Sequence, residues 1–249
     1  MGSGYRRFSF PEETPGIEWV VVVQQPEGDP DAFFRDRDDI RVVSSQETGL
    51  SRSRNLAVEA TRTDWMLLCD DDVIIDRQAV LELVETAMDY RSRDARAGFF
   101  WARLRKASGG WMANYPAPGT RLTRRNARSV QSASLLVSKH AMDAAEARFD
   151  VRFGLGTDLP VGEEYLLVVA LMKNEWTGWH VAHVVGTHPD ETTHSGSADR
   201  RVLRARMAIM GHAFGWLAPV VRARYARAHR EKFESLTEMT KFTLGSRDF

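Results

Sequence analysis

Trp65-Met66-Leu67-Leu68-Cys69-Asp70-Asp71-Asp72-Val73-Ile74-Ile75 sets three adjacent carboxylates between two short apolar runs. The first run, Trp65 to Cys69, reads as a buried strand, so the carboxylates fall at its mouth. Adjacent carboxylates repel one another and need a counter-charge. A divalent cation carrying a diphosphate supplies one, because hard cations share oxygen ligands with substrate phosphates. A solvated acidic loop that caps the following helix is the plainer alternative, and the triplet alone divides evenly between them. Its surroundings decide, and they point to a nucleotide-dependent transferase.

Upstream, Ile17 to Gln25 is β-branched and apolar, with Val20 to Val23 unbroken. It predicts a strand buried on both faces, as in parallel sheets. Pro26, Gly28 and Pro30 end it, and Asp31 to Arg37 allows a short helix. Ile40 to Ser45 is a second strand. Ser51 is placed to cap a helix running to about Arg62, with Leu56, Ala57 and Ala60 on its apolar face. Downstream, Asp76 is placed to cap the helix of Val80, Leu81, Leu83, Val84 and Met88. This alternation predicts an α/β fold with a mostly parallel sheet wound with helices. Ala97 to Leu104 and Gln131 to Val137 follow as strands. Glu163 to Met172 is a helix with almost no polar face after its first turn, and Gly178 to Gly186 is a strand. From Arg200 the pattern is helical and Arg-rich, so residues 1–198 are expected to form the catalytic domain and 199–249 a helical C-terminal extension.

Composition limits the alternatives. The 249 residues are 43% hydrophobic and 27% charged, enough for a globular core. Basic and acidic residues balance at 34 each, so no net field argues for a nucleic-acid partner. Cys69 stands alone, which removes an internal disulfide or a Cys-based zinc site and suits a reducing compartment. No signal peptide or spanning segment is legible, so a cytoplasmic protein is expected.

Four constellations carry chemistry. Open α/β sheets gather ligands beyond the carboxyl ends of their strands, where Gln24, Gln25 and the acid triplet lie. Gly162-Glu163-Glu164 opens the buried helix. Such acids commonly complement a helix dipole, but carboxylates held rigidly and partly desolvated also suit a general base. In Gly186-Thr187-His188-Pro189-Asp190-Glu191-Thr192-Thr193-His194, an imidazole is placed to complete a metal sphere begun by the aspartates. His188 is the first candidate and His194 the second. Arg52-Ser53-Arg54-Asn55 precedes the acidic strand, and Arg54 has the bidentate geometry that neutralises a diphosphate.

In this order, Gly49-Leu50-Ser51-Arg52-Ser53-Arg54-Asn55-Leu56-Ala57, Leu67-Leu68-Cys69-Asp70-Asp71-Asp72, Gly162-Glu163-Glu164 and His188-Pro189 resemble the motifs of family 2 glycosyltransferases of the GT-A fold. The resemblance runs from about Ile17 to Gly196. It implies inverting, non-processive transfer from a nucleotide-diphosphate sugar with Mg²⁺ or Mn²⁺, UDP ranking ahead of GDP or dTDP. It places Asp70 and Asp71 at the nucleotide, joined by Gln24, Gln25, Arg54 and Asn55, and it gives Asp72 and His188 to the metal. Glu164 falls on the family's catalytic base, with Glu163 the other candidate. The family's opening strand would be Tyr5 to Phe10, or be missing or reshaped. Gln24 and Gln25 stand where acidic residues are usual. The acceptor would be a carbohydrate or a lipid-linked saccharide, met by Lys106 to Arg128 with Trp111 and Tyr115.

The C-terminal arginines, interleaved with Met207, Ile209, Met210, Phe214, Trp216 and Leu217, suit an ordinary packed helix pair. They also suit peripheral contact with an anionic membrane, or a homodimer. A dehydrogenase is disfavoured because Gly154-Leu155-Gly156 lacks a third glycine and does not follow the first strand. No Gly-Lys-Ser/Thr loop exists for a P-loop enzyme. The surviving alternative is an inactive GT-A-like module that binds a glycan or a partner.

Overall fold

The computed structural model describes residues 4–7, 10–189, 200–246 and 249. Two sheets form. Strands β1 (Trp19–Gln24) and β2 (Ile40–Ser45) pair in parallel, from Trp19 opposite Ile40 to Gln24 opposite Ser45, with the short helix α1 (Pro30–Phe33) between them. A five-stranded sheet takes β3 (Trp65–Leu67), β4 (Ile74–Ile75), β5 (Ala97–Lys106), β6 (Leu135–Ser138) and β7 (Thr177–His188) in the order β3-β6-β5-β7-β4. β3, β5 and β7 run one way, and β6 and β4 run against them.

Helix α2 (Leu50–Ala60) covers the β1–β2 pair, and α3 (Arg77–Arg93) lies on the large sheet. The Asp76 carboxylate accepts the Ala79 N–H at 3.1 Å, so this expected cap forms. β5 is buried on both faces. Phe99 and Trp101 face a core shared with α5 (Glu163–Lys173), while Phe100, Ala102 and Leu104 face a core shared with α3. Gly178 sits in register with Phe99 because a β-carbon there would lie 2.1 Å from the buried ring. α4 (Lys139–Ala144) follows β6 and starts on a Ser138 cap.

Several expectations need correction. The first strand is not buried on both faces: Val20, Val21 and Val22 stay half-exposed and only Val23 is buried. Among the described residues β1 has a strand neighbour on one side only. Tyr5 to Phe10 does not supply that neighbour. Gly4–Arg7 is a turn of 3₁₀ helix, and residues 8 and 9 lie outside the described residues. Tyr5 instead packs edge-on against Phe33, with its hydroxyl donating to the Glu27 carbonyl at 3.0 Å. Ser51 does not cap α2. The N-cap is Gly49, whose N–H reaches Gln24 Oε1 at 3.0 Å, and Ser51 sits inside the helix, donating to the Phe153 carbonyl at 2.6 Å.

The C-terminal helices α6 (Arg200–Phe214), α7 (Ala218–Ala228) and α8 (Leu236–Leu244) enclose a small core of Leu203, Ala226, Phe242 and Phe249. Ala213, Ile209 and Phe214 join the main core beside α5. The boundary expected at residues 198 and 199 falls outside the described residues, as does His194. Among the described residues no helix is long and apolar enough to cross a membrane.

Candidate active site

β3 ends at Leu67, and the chain turns through Asp71 and Asp72 before Val73 plugs the α3-side core. This turn projects the triplet past the sheet edge, and its members diverge. Asp70 points inward. It accepts from Arg54 Nη2 at 2.9 Å and from the Ser132 hydroxyl at 3.3 Å. Asp71 and Asp72 remain exposed.

β7 passes beside β4 and delivers His188 to the same edge. His188 Nε2 and Asp72 Oδ1 lie 3.7 Å apart. The His188 Nδ1 faces the Pro189 carbonyl at 2.6 Å, which assigns its hydrogen to Nδ1. In the neutral ring Nε2 is then a lone pair aimed at a carboxylate. Two acceptors facing each other at this distance suit a cation between them, and O plus N donors suit Mg²⁺ or Mn²⁺. Among the described residues no group of three His, Cys, Asp or Glu side chains gathers there. A cation held here would draw its remaining ligands from water and phosphate oxygens, the usual state of Mg²⁺ in such sites.

The second half of the site is the start of α5. Gly162 caps the helix at φ 94°, and a β-carbon on it would lie 2.1 Å from Ile209 Cδ1, so α6 buttresses this end. Glu163 is 5% exposed and accepts from Arg54 Nη1 at 2.8 Å. Arg54, 8% exposed, therefore ties Glu163 to Asp70 and joins α5 to the acidic turn. Burial works against the Arg54 charge, but Asp70, Glu163 and Glu164 outweigh it and its pKa is raised. Glu164 has no such partner. Its Oε2 is buried and accepts no hydrogen bond from a described residue. Desolvation first, then repulsion from Glu163, push its pKa up to about 8, against the pull of Arg54.

The other expected nucleotide contacts are placed differently. Asn55 holds both ends of its amide to the Phe149 backbone, at 2.9 Å each, which fixes it against that segment. Gln24 gives its carbonyl to Gly49, and Gln25 stands exposed with φ 47°. Arg54, expected on the diphosphate, is engaged by its two carboxylates. Sequence reasoning missed Ser132, which nothing in its local pattern marks, and assigned Lys106 to the acceptor stretch, whereas the fold makes it the cross-strand neighbour of His188. An open pocket of about 840 Å³ lies elsewhere, between Thr48, Arg52, Arg152, Asp158 and Arg201. Arg52 and Arg152 are already paired with Glu47 and Asp150, and none of the acid triplet lines it.

Residues 30–133 match the family model described as "Glycosyl transferase family 2". The match contains the acid triplet and ends before Glu163 and His188. Over that stretch the chain is similar to family 2 glycosyltransferases. A search of curated protein sequences found no match. Among solved structures, residues 1–349 of S. aureus TarS superpose with TM-score 0.59 at 13% identity, covering 97% of this chain and 84% of that one. The same protein in complex with UDP-GlcNAc gives 0.64 at 14%, covering 97% and 73%. A mycobacterial protein gives 0.51 at 14%, covering 79% and 64%. At these identities the likeness establishes the fold.

Proposed function

We propose that this chain is a glycosyltransferase that moves one sugar from a nucleotide-diphosphate donor to an acceptor hydroxyl, with inversion at the anomeric carbon. The approach of His188 Nε2 to Asp72 Oδ1, 3.7 Å apart at the mouth of the sheet, is the observation that carries this reading. Held by them, Mg²⁺ or Mn²⁺ would bind the diphosphate and offset the charge that develops on it as the glycosidic bond breaks. Lys106 adds a positive charge next to His188.

Glu164 is the base. A carboxyl raised toward neutrality, with its Oε2 unpartnered, is matched to taking a proton from a hydroxyl near pH 7. Glu163, the other candidate, is tied up by Arg54 and holds the start of α5 in place. As Glu164 takes the proton, the acceptor oxygen attacks the anomeric carbon on the face opposite the diphosphate. The C–O bond to the diphosphate breaks and carries the electron pair away. One displacement inverts the configuration.

The neighbour solved with UDP-GlcNAc supports a nucleotide-sugar donor, and UDP ahead of GDP or dTDP. The pair of Asp72 and His188, and a Glu164 that follows the Glu163 tied through Arg54 to Asp70, favour an active enzyme over the binding-module alternative. The acceptor is a glycan or a lipid-linked saccharide. Trp216 is 87% exposed at the elbow between α6 and α7, with Val220 and Leu217 beside it, which suits peripheral contact with a cytoplasmic membrane face better than a fully packed helix pair. The deciding experiment screens nucleotide sugars for transfer with and without Mn²⁺, then repeats it with Glu164→Gln and Asp72→Ala. Loss of transfer in both variants, with an inverted product by NMR, is expected. Normal rates in either would overturn its assigned role.

A further inference from the structure

The strand ends that carry His188 also carry a second charged cluster. The register of β5 on β7 sets Arg105 opposite Thr187 and Lys106 opposite His188. Beyond Lys106 the chain reverses through Gly109 and Gly110, and Trp111 bridges back to Arg105. The Ala107 N–H donates to the His188 carbonyl at 3.0 Å, so this hairpin is fastened to the backbone of the candidate metal ligand. Arg103 and Arg105 alternate with Leu104 along β5 and share the face of Trp101, the face on which α5 packs.

Trp111 is 43% exposed, and the guanidinium carbons of Arg105 and Arg103 lie 5.0 and 5.4 Å from its ring centroid. Among the described residues neither arginine forms an ion pair with a carboxylate, whereas Arg37, Arg41, Arg54 and Arg91 all do. Arg103 is held in place from below. Its Nε donates to His180 Nε2 at 3.3 Å, and His180 Nδ1 meets the Trp101 carbonyl at 2.8 Å. His180 is fully buried, and burial lowers its pKa, keeping the ring neutral and Nε2 an acceptor. Tyr115 stacks on His180 at 5.3 Å, and its hydroxyl accepts the Leu104 N–H at 2.9 Å. A buried histidine and a tyrosine thus fix the Arg103 guanidinium, and Arg105 joins it over the half-exposed indole. Such support belongs to a preorganised binding surface. Indole faces stack on the C–H faces of sugar rings, and guanidinium forks grip phosphate or carboxylate in bidentate fashion.

We propose that Trp111, Arg103 and Arg105 form an acceptor subsite, and that the acceptor is an acidic saccharide bearing a phosphate or a uronate carboxylate. The assignment rests on the transferase reading, since it names that site's second substrate. The sugar ring stacks on Trp111 and the anion meets the two arginines.

Immobilised oligosaccharides test this in three arms: neutral, phosphate-bearing and uronate-bearing. Retention of the unaltered chain on at least one acidic arm, tenfold or more above the neutral arm, is expected, and the retained arm names the anion. Arg103→Gln with Arg105→Gln is expected to erase the preference, and Trp111→Ala to weaken binding on every arm. Arg105→Lys, which keeps the charge without the fork, is expected to retain a reduced preference and covers the case in which the double variant melts early. Equal retention on all three arms, or an acid preference that survives the double substitution, overturns the proposal. Metal-dependent hydrolysis of a nucleotide sugar by the unaltered chain is read separately. Its presence without acid preference removes the subsite alone, and its absence removes the transferase reading.

Discussion

The two sheets of this molecule are built from similarly apolar strands and are covered very differently. In β5, Phe99, Phe100 and Trp101 are completely buried, with α5 and α3 on either side. In β1, Val20 to Val22 remain half-exposed, although β1 is the more uniformly apolar of the two. An apolar strand has an affinity for cover, but its neighbours supply the cover. β5 has a strand on each side, and β1 has only β2 among the described residues. The division also separates roles. Asp70, Asp72, His188 and Glu164 all hang from the large sheet or from α5, whereas Gln24 and Gln25 end the lightly covered strand.

The largest effect should come on the well-packed side, at Glu164. Glu164→Gln is expected to cut the transfer rate by about 10²–10⁴-fold, the usual contribution of a general base, in steady-state assays with saturating donor. Arg54→Ala strands Glu163 in the interior, and urea titration should show a loss of about 3–5 kcal/mol. A direct contrast of the sheets follows from truncation. Phe99→Ala should cost about 3–5 kcal/mol, and Val22→Ala, at a half-exposed site, about 1 kcal/mol. Equal losses would show that the small sheet is as tightly supported as the large one. The last effect is a pH-dependent one. A carboxyl whose folded pKa is raised loses its stabilising contribution as pH climbs from its ordinary value toward about 8. Thermal melts of Glu164→Gln should therefore gain on the unaltered chain between roughly pH 4.5 and 8 and hold that gain above it. A constant difference across that range would mean that Glu164 ionises as an ordinary carboxylate.

The order of elements was legible, but the pairing of the large sheet was not: three of its four strand pairings are antiparallel, where a mostly parallel sheet was expected. The carboxylate run after an apolar strand, and the acidic start of an otherwise apolar helix, are local patterns, and both landed where expected. Asp72 and His188 were paired by the chemistry of an imidazole after a late apolar strand and by the ordered resemblance, since no periodicity links residues so far apart. Partnership was not legible. Arg54, Asn55 and Gln24 carry groups suited to a nucleotide, and tertiary contacts commit them to Glu163 and Asp70, to Phe149 and to Gly49. Ser51 has the chemistry of an N-cap, but it lies inside the helix and its hydroxyl is spent on the Phe153 carbonyl. Hydrogen-bonding capacity can be read from a residue's type, and its use only from the fold.

The central claim is a cation between Asp72 and His188 that also holds a diphosphate, and Mn²⁺ binding followed by electron paramagnetic resonance tests it most directly. The account predicts that UDP tightens Mn²⁺ binding to the unaltered chain, and that Asp72→Ala and His188→Ala each weaken it at least tenfold. Mn²⁺ affinity indifferent to both substitutions would contradict it.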